Sequence, residues 1–167
     1  QTLQYCLVKE YVHTMFSFLR LLKESERSRI SLAAGADDKP VVVREIHDSG
    51  LPYAKIKEID HPLWPKVFFA AEEEGITWVV EEYVSGENLQ EFWEKGGRLS
   101  TKEAEAMLLE VADGLAALHR AGIVHRDIKP SHILRQGGRQ LRLIDFDASR
   151  IVREDGKPDT RHLGTVG

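Results

Sequence analysis

Along the first half of the chain, apolar residues cluster in short β-branched or alternating runs, and over much of the second half they recur every three to four positions. MFSFLRLLK at 15–23 and RISLA at 29–33 read as strands separated by a polar turn, ESERS, and VVVREI at 41–46 as a third. Three such runs with short connections predict an antiparallel meander. LPYAKIKEID at 51–60 predicts a short helix closed by His61-Pro62 and Pro65, and VFFAA at 67–71 and ITWVVEEYV at 76–84 predict two more strands. Residues 1–14 carry no pattern that decides between a lead-in packed on this β-rich unit and a surface for a partner.

After Gly86 the spacing becomes helical, first near 88–95 and then over 101–121. Ser100 and Glu103 have capping-box spacing, and Ala104, Met107, Leu108, Val111, Leu115 and Leu118 fall on one face. Gly122 supplies the stop. Beyond it, HILR at 132–135 and LRLID at 141–145 flank Gly137-Gly138 as a hairpin.

Composition adds exclusions. With 167 residues, 42% of them apolar, the chain suits one compact domain or two small lobes, burying roughly two thirds of its unfolded surface. A formal charge of −4 offers no basic field for a nucleic acid or an anionic membrane. Cys6 is the single cysteine, so no internal disulfide forms. No 18-residue apolar run and no secretory leader is present, which predicts a cytoplasmic chain; a start at Gln1 without Met is compatible with excision from something larger.

The chemistry concentrates in HRDIKPSHILRQGGRQLRLIDFD at 125–147. Phosphoryl transfer asks a protein for an acceptor for the substrate hydroxyl's proton, cations over the phosphates, and a carboxylate for Mg²⁺. Asp127 and Lys129 supply the first two within one loop, and Asp145 follows 18 residues later in a DFD tripeptide. Taken singly, either aspartate reads as an ordinary turn-capping residue; HRDIKP followed by a hairpin and IDFD does not.

On these motifs the chain resembles the eukaryotic-type (Hanks-type) serine/threonine protein kinases, bacterial-like, from about residue 16 to its end. The resemblance implies an α+β, two-lobed fold: a five-stranded antiparallel small lobe within 1–84, lead-in included, and the first, mainly helical part of a large lobe over 85–167. It implies ATP and Mg²⁺, with Asp127 orienting the attacking hydroxyl and taking its proton, Lys129 neutralising the transferred group, and Asp145 holding the metal. Arg44 aligns with the phosphate-binding lysine, Glu82 and Val84 with the hinge backbone that contacts adenine, and Glu81 with the position behind it. Thr165 matches the threonine supporting Asp127 and Lys129. Thr160 is a candidate phosphorylation site, with Arg126 as a partner for its phosphate. The implied partners are a protein substrate or a regulatory protein; oligomeric state is not implied.

Several positions depart from the family pattern. ESERS has no glycine and carries Glu24 and Glu26 where phosphates should pass. Arg44 replaces a compact ammonium with a planar fork, and Glu58, too near His61-Pro62, is not a convincing helix glutamate to pair with it, so Glu81 is expected to reach Arg44 from the neighbouring strand. His132 stands where a second metal ligand, asparagine, belongs, and imidazole is a poor partner for a hard cation. Asp147 replaces the last glycine of DFG. The family also continues after GTVG with an APE motif and further helices, so the chain is expected to be a truncated or partial domain. Three readings follow: a serine/threonine kinase, a pseudokinase kept for nucleotide or partner binding, and a small-molecule kinase, against which Lys129-Pro130 and Gly164-Thr165 argue.

Overall fold

In the computed structural model, which describes residues 7–152, strands β1 (Ser17–Glu24), β2 (Ser28–Ala34), β3 (Pro40–Ile46), β4 (Val67–Glu73) and β5 (Ile76–Glu82) form one antiparallel sheet in the order β1-β2-β3-β5-β4. The fold class is therefore α+β, with the expected five-stranded sheet. β3 and β5, each flanked by a strand on both sides, are buried on both faces, which is why consecutive apolar residues, Val41–Val43 and Trp78–Val80, run through them. Alternation divides their side chains. Val41, Val43, Trp78 and Val80 join one apolar cluster, while Ile46 and Val79 join the main core on the other face, where Val42, Arg44 and Glu81 line a cleft.

The first cluster is closed by a helix that the sequence reading did not assign, α1 (Leu7–Met15), whose Val12 is fully buried against Ala33, Val41 and Trp78. Its first turn is held by the Val8 N–H donating to Glu73 Oε2 at 3.1 Å. Residues 7–15 are thus packed on the sheet, and Met15 belongs to this helix rather than to the first strand.

The helix expected over 51–60 is shorter, α2 (Tyr53–Lys57), because Pro52 at its N-cap makes no side-chain cap and its last turn tightens into i→i−3 bonds, Glu58 N–H to Lys55 and Ile59 N–H to Ile56. Glu58 is exposed outside the helix, as its lack of a pairing role requires. Beyond the sheet come β6 (Glu87–Asn88), α3 (Leu89–Glu94) and α4 (Thr101–Arg120). Both helices open with a full capping box, Asn88/Glu91 and Ser100/Glu103, and α4 ends at Gly122 with φ +71°. Val111 and Leu118 of α4 are buried and Ala104, Met107 and Leu115 partly so, but Leu108, expected on that face, is 65% exposed because it lies at its margin.

The remaining elements are β7 (Ile123–Val124), a 3₁₀ turn (Pro130–His132), the hairpin β8 (Ile133–Gln136) and β9 (Gln140–Leu143), and β10 (Arg150–Ile151). His132 therefore sits in the turn rather than in the strand, and Ile144 and Asp145 lie beyond β9. The main core runs from Ile46 and Tyr53 through Leu118 to Leu143 and Phe146, joining the sheet to the helical part. None of the described helices is long and apolar enough to cross a membrane.

Candidate functional site

A cleft of about 420 Å³ opens between the sheet and the β8–β9 hairpin. Leu22, Ile30 and Val42 line it from the sheet, Leu134 and Ile144 from the hairpin side, and residues 82–84 along one edge. Such a slot, apolar above and below with polar groups at its ends, has the size and character of a small-molecule site. The edge is firmly placed: the Glu82 N–H donates to the Lys66 carbonyl at 2.8 Å, and the Glu82 carboxylate accepts from Arg142 Nη2 at 2.5 Å. Val84 is buried beside it.

At the back of the cleft, Arg44 and Glu81 share a sheet face because β3 and β5 pair with Val42 opposite Glu81 and Arg44 opposite Val79, a diagonal relation that long side chains can span. Arg44 Nε donates to Glu81 Oε1 at 2.7 Å, and both side chains are only 6% exposed. Glu81 therefore does reach Arg44 from the neighbouring strand. Burial pushes the Glu81 carboxyl up, though Arg44 opposes this; burial alone would lower the Arg44 guanidinium, but Glu81, with Tyr53, Asp147 and Asp145, keeps it charged. Arg44 Nη1 makes no hydrogen bond, its nearest carboxylate oxygen being Asp147 Oδ1 at 3.5 Å. That oxygen is already taken by the Tyr53 hydroxyl, which donates to it at 2.6 Å. Tyr53, which sequence reasoning missed, thus ties α2 to the 145–147 loop. Burial and the charge of Asp145 push the Asp147 carboxyl up.

At the front, His132 joins the two candidate aspartates. Its Nδ1 donates to the Asp127 carbonyl, which can only accept, at 3.0 Å, and Nε2 faces Asp145 Oδ2 at 3.4 Å. Lys129 Nζ donates to Asp127 Oδ2 at 2.9 Å. Two residues here hold strained left-handed backbones, Arg126 at φ +71° and Asp145 at φ +69°, a conformation that L side chains rarely adopt and that clusters where side chains must be aimed. Burial alone would push the Asp145 carboxyl up, but Arg44, His132 and the Asp147 N–H outweigh it and hold it below the ordinary range. Arg126 is exposed, and Thr160 and Thr165 lie outside the described residues.

His125 is the buried pivot of this loop. It is 1% exposed, its Nδ1 accepts the Asp127 N–H at 3.2 Å, and its ring meets Phe146 edge-on at 4.8 Å. Burial, with the neighbouring His132, lowers its pKa from 6.5 to about 4. Between those values the unfolded chain binds a proton that the folded chain does not, so stability rises with pH across that window and falls on acidification. Urea unfolding at pH 5 is therefore expected to give a stability roughly 1–2 kcal/mol below that at pH 7 from this group, and His125→Gln to flatten the slope by that amount. An unchanged slope in the variant would remove His125 as the cause.

Can these groups hold Mg²⁺? Among the described residues no three His, Cys, Asp or Glu side chains are grouped to bind a metal ion by themselves. A hard divalent cation held by one carboxylate and completed by phosphate oxygens and water needs no such group, and the low-pKa Asp145 at the cleft wall fits that requirement. His132 Nε2 is the weaker candidate, being a nitrogen.

Comparison with known proteins gives a consistent picture. The family model described as "Protein kinase domain" matches residues 44–167, so β1 and β2, with the glycine-free turn between them, fall outside the match. The chain is 38% identical over 96 residues, 58% of its length, to a probable serine/threonine-protein kinase, pknA2, of Bifidobacterium longum, of which it spans 13%. It is 29% identical over 143 residues, 83% of its length, to the probable serine/threonine-protein kinase PknB of Corynebacterium glutamicum, spanning 21% of that protein. Against the serine/threonine-protein kinase PrkC of Bacillus subtilis the identity is 36% over 88 residues, 53% of this chain and 14% of the relative.

Proposed function

The chain belongs to the protein kinase family, and from that premise we propose that it binds ATP with Mg²⁺ in the cleft and transfers the γ-phosphoryl group to a serine or threonine of a protein. The observation that carries this reading is the juxtaposition at the front of the cleft: His132 reaches both Asp127 and Asp145, and Lys129 pairs with Asp127. In this reading residues up to 84 form the small lobe and those from 85 onward the large one. The adenine lies between the apolar walls, against the backbone of Glu82 and Val84. Asp127 orients the protein hydroxyl and accepts its proton as the new O–P bond forms and the bond from the γ-phosphorus to the β–γ bridging oxygen breaks, releasing ADP. Lys129 offsets the charge of the group in flight, and Arg44, held by Glu81, contributes a positive field from behind. Asp145 holds Mg²⁺, which when bound neutralises phosphate charge. Arg126 stands ready for a phosphate on the following segment. A reaction fuelled by ATP puts the domain in the cytoplasm.

A second reading, a nucleotide-binding regulatory module without transfer, draws support from one observation. Arg44 is enclosed by Glu81 and Asp147, with its guanidinium turned away from solvent. Binding is common to both readings and is tested first. A ligand that binds only the folded state at one hundred times its Kd stabilises that state by about 2.7 kcal/mol, so Mg²⁺-ATP is expected to raise the melting temperature of the chain by several degrees. No shift at millimolar Mg²⁺-ATP would defeat both.

A further inference from the structure

We propose that Lys23, near the end of β1, is the residue that contacts the phosphates of the bound nucleotide, a part that Arg44 is too enclosed to play. This rests on the nucleotide reading of the cleft. In a regular strand, consecutive side chains point to opposite faces. Yet Leu22 and Lys23 both line the cleft. The register explains it: the β1–β2 pairing shifts between Leu21 and Lys23, and an irregularity of this kind re-aims a side chain, as bulges beside active sites commonly do.

Three cations line the cleft, Lys23, Arg44 and Lys129. Arg44 is occupied by Glu81 and faces Asp147, and Lys129, paired with Asp127, stands with the catalytic loop where it serves the group in flight. The Lys23 ammonium has no ion pair among the described residues, so it is the cation available to an incoming anion. Its charge is also among those that bear on Asp145 and Asp147, after burial, Arg44 and their nearer neighbours.

The turn that follows makes such a side chain necessary. Ser25 Oγ accepts the N–H groups of Arg27 at 3.3 Å and Ser28 at 3.1 Å, and the Ser25 N–H donates to the Ser28 carbonyl at 2.9 Å. These amides are committed inside the turn, so they cannot cradle a phosphate as a glycine-rich backbone would. Of the turn's two acids, Glu24 lies 3.7 Å from Arg29, which offsets part of its repulsion toward an anion. A compact ammonium with three rotatable donors suits a polyphosphate whose oxygens move.

Calorimetric titration of the chain and of Lys23→Gln with ATP, ADP and adenosine, each with Mg²⁺, tests this. Lys23→Gln is expected to weaken ATP and ADP by about tenfold or more while leaving adenosine within about twofold, because only a charge-assisted contact to phosphate is lost. Lys23→Arg should retain most of the ATP affinity, and the melting temperature without nucleotide should not move, since Lys23 is exposed. Wild-type chain that prefers ATP to adenosine, with Lys23→Gln showing the same preference, overturns the assignment and spares the nucleotide site. Equal wild-type affinity for ATP and adenosine overturns it too. Wild-type chain that binds neither overturns the nucleotide reading itself, and this inference with it.

Discussion

Replacing Glu81 with glutamine is expected to lower the unfolding free energy by about 3 kcal/mol. Arg44 and Glu81 are each 6% exposed, so water cannot take over the role of the lost partner. Breaking a buried pair from one side costs ~3–5 kcal/mol, mostly as the penalty of a charge left without its counter-ion. Glutamine keeps an oxygen for the 2.7 Å bond from Arg44 Nε, and Asp147 and Asp145 still face the guanidinium, so the lower end of that range applies. The double variant Arg44→Met, Glu81→Met should recover most of the loss, because an apolar pair of similar volume leaves no buried charge. Urea unfolding with an unchanged slope against denaturant reads this directly. If Glu81→Gln altered neither stability nor nucleotide affinity, the pair would not be what holds Arg44.

How much of this was visible in the sequence depended on how local the cause was. β3 and β5 were legible because strands buried on both faces carry consecutive apolar residues, VVV and WVV, and α4 because its capping box and 3.6-residue spacing agree. The helix α1 was not: it is nine residues long, only Val12 is fully buried, and its partners lie in strands far along the chain. In the site, Asp127, Lys129 and Asp145 stood out because the loops that carry them are short and distinctive. The approach of Glu81 to Arg44 was also inferable, since both positions sit on strands whose alternation can be counted. The Tyr53 hydroxyl on Asp147 joins residues 94 apart, and no local pattern announces it. Lys23 was hidden for a different reason, since a bulge reverses the face that alternation would assign to it. Asp147, marked in the sequence only as a misplaced charge, proves to be the oxygen between Tyr53 and Arg44.

Replacing Asp127 with alanine is expected to lower phosphoryl transfer by about a thousandfold, the middle of the range for a positioned general base. Nucleotide affinity should stay within about twofold, because Asp127 does not line the cleft and meets it only through Lys129 and His132. The fold should survive as well: the loop's bonds run through the Asp127 backbone, whose N–H goes to His125 and whose carbonyl accepts from His132, and alanine keeps both. Losing the partner of Lys129 costs little, since that pair is half exposed and screened.

The direct test of the proposed phosphotransfer site is therefore transfer of label from γ-radiolabelled ATP to protein serine and threonine, measured side by side for the wild-type chain and Asp127→Ala, with ATP binding followed in both. Label on serine or threonine with the wild type, about a thousandfold less with the variant, and equal ATP binding is the result expected. Equal labelling by the two proteins, or ATP binding by the wild type with no transfer at all, would contradict it.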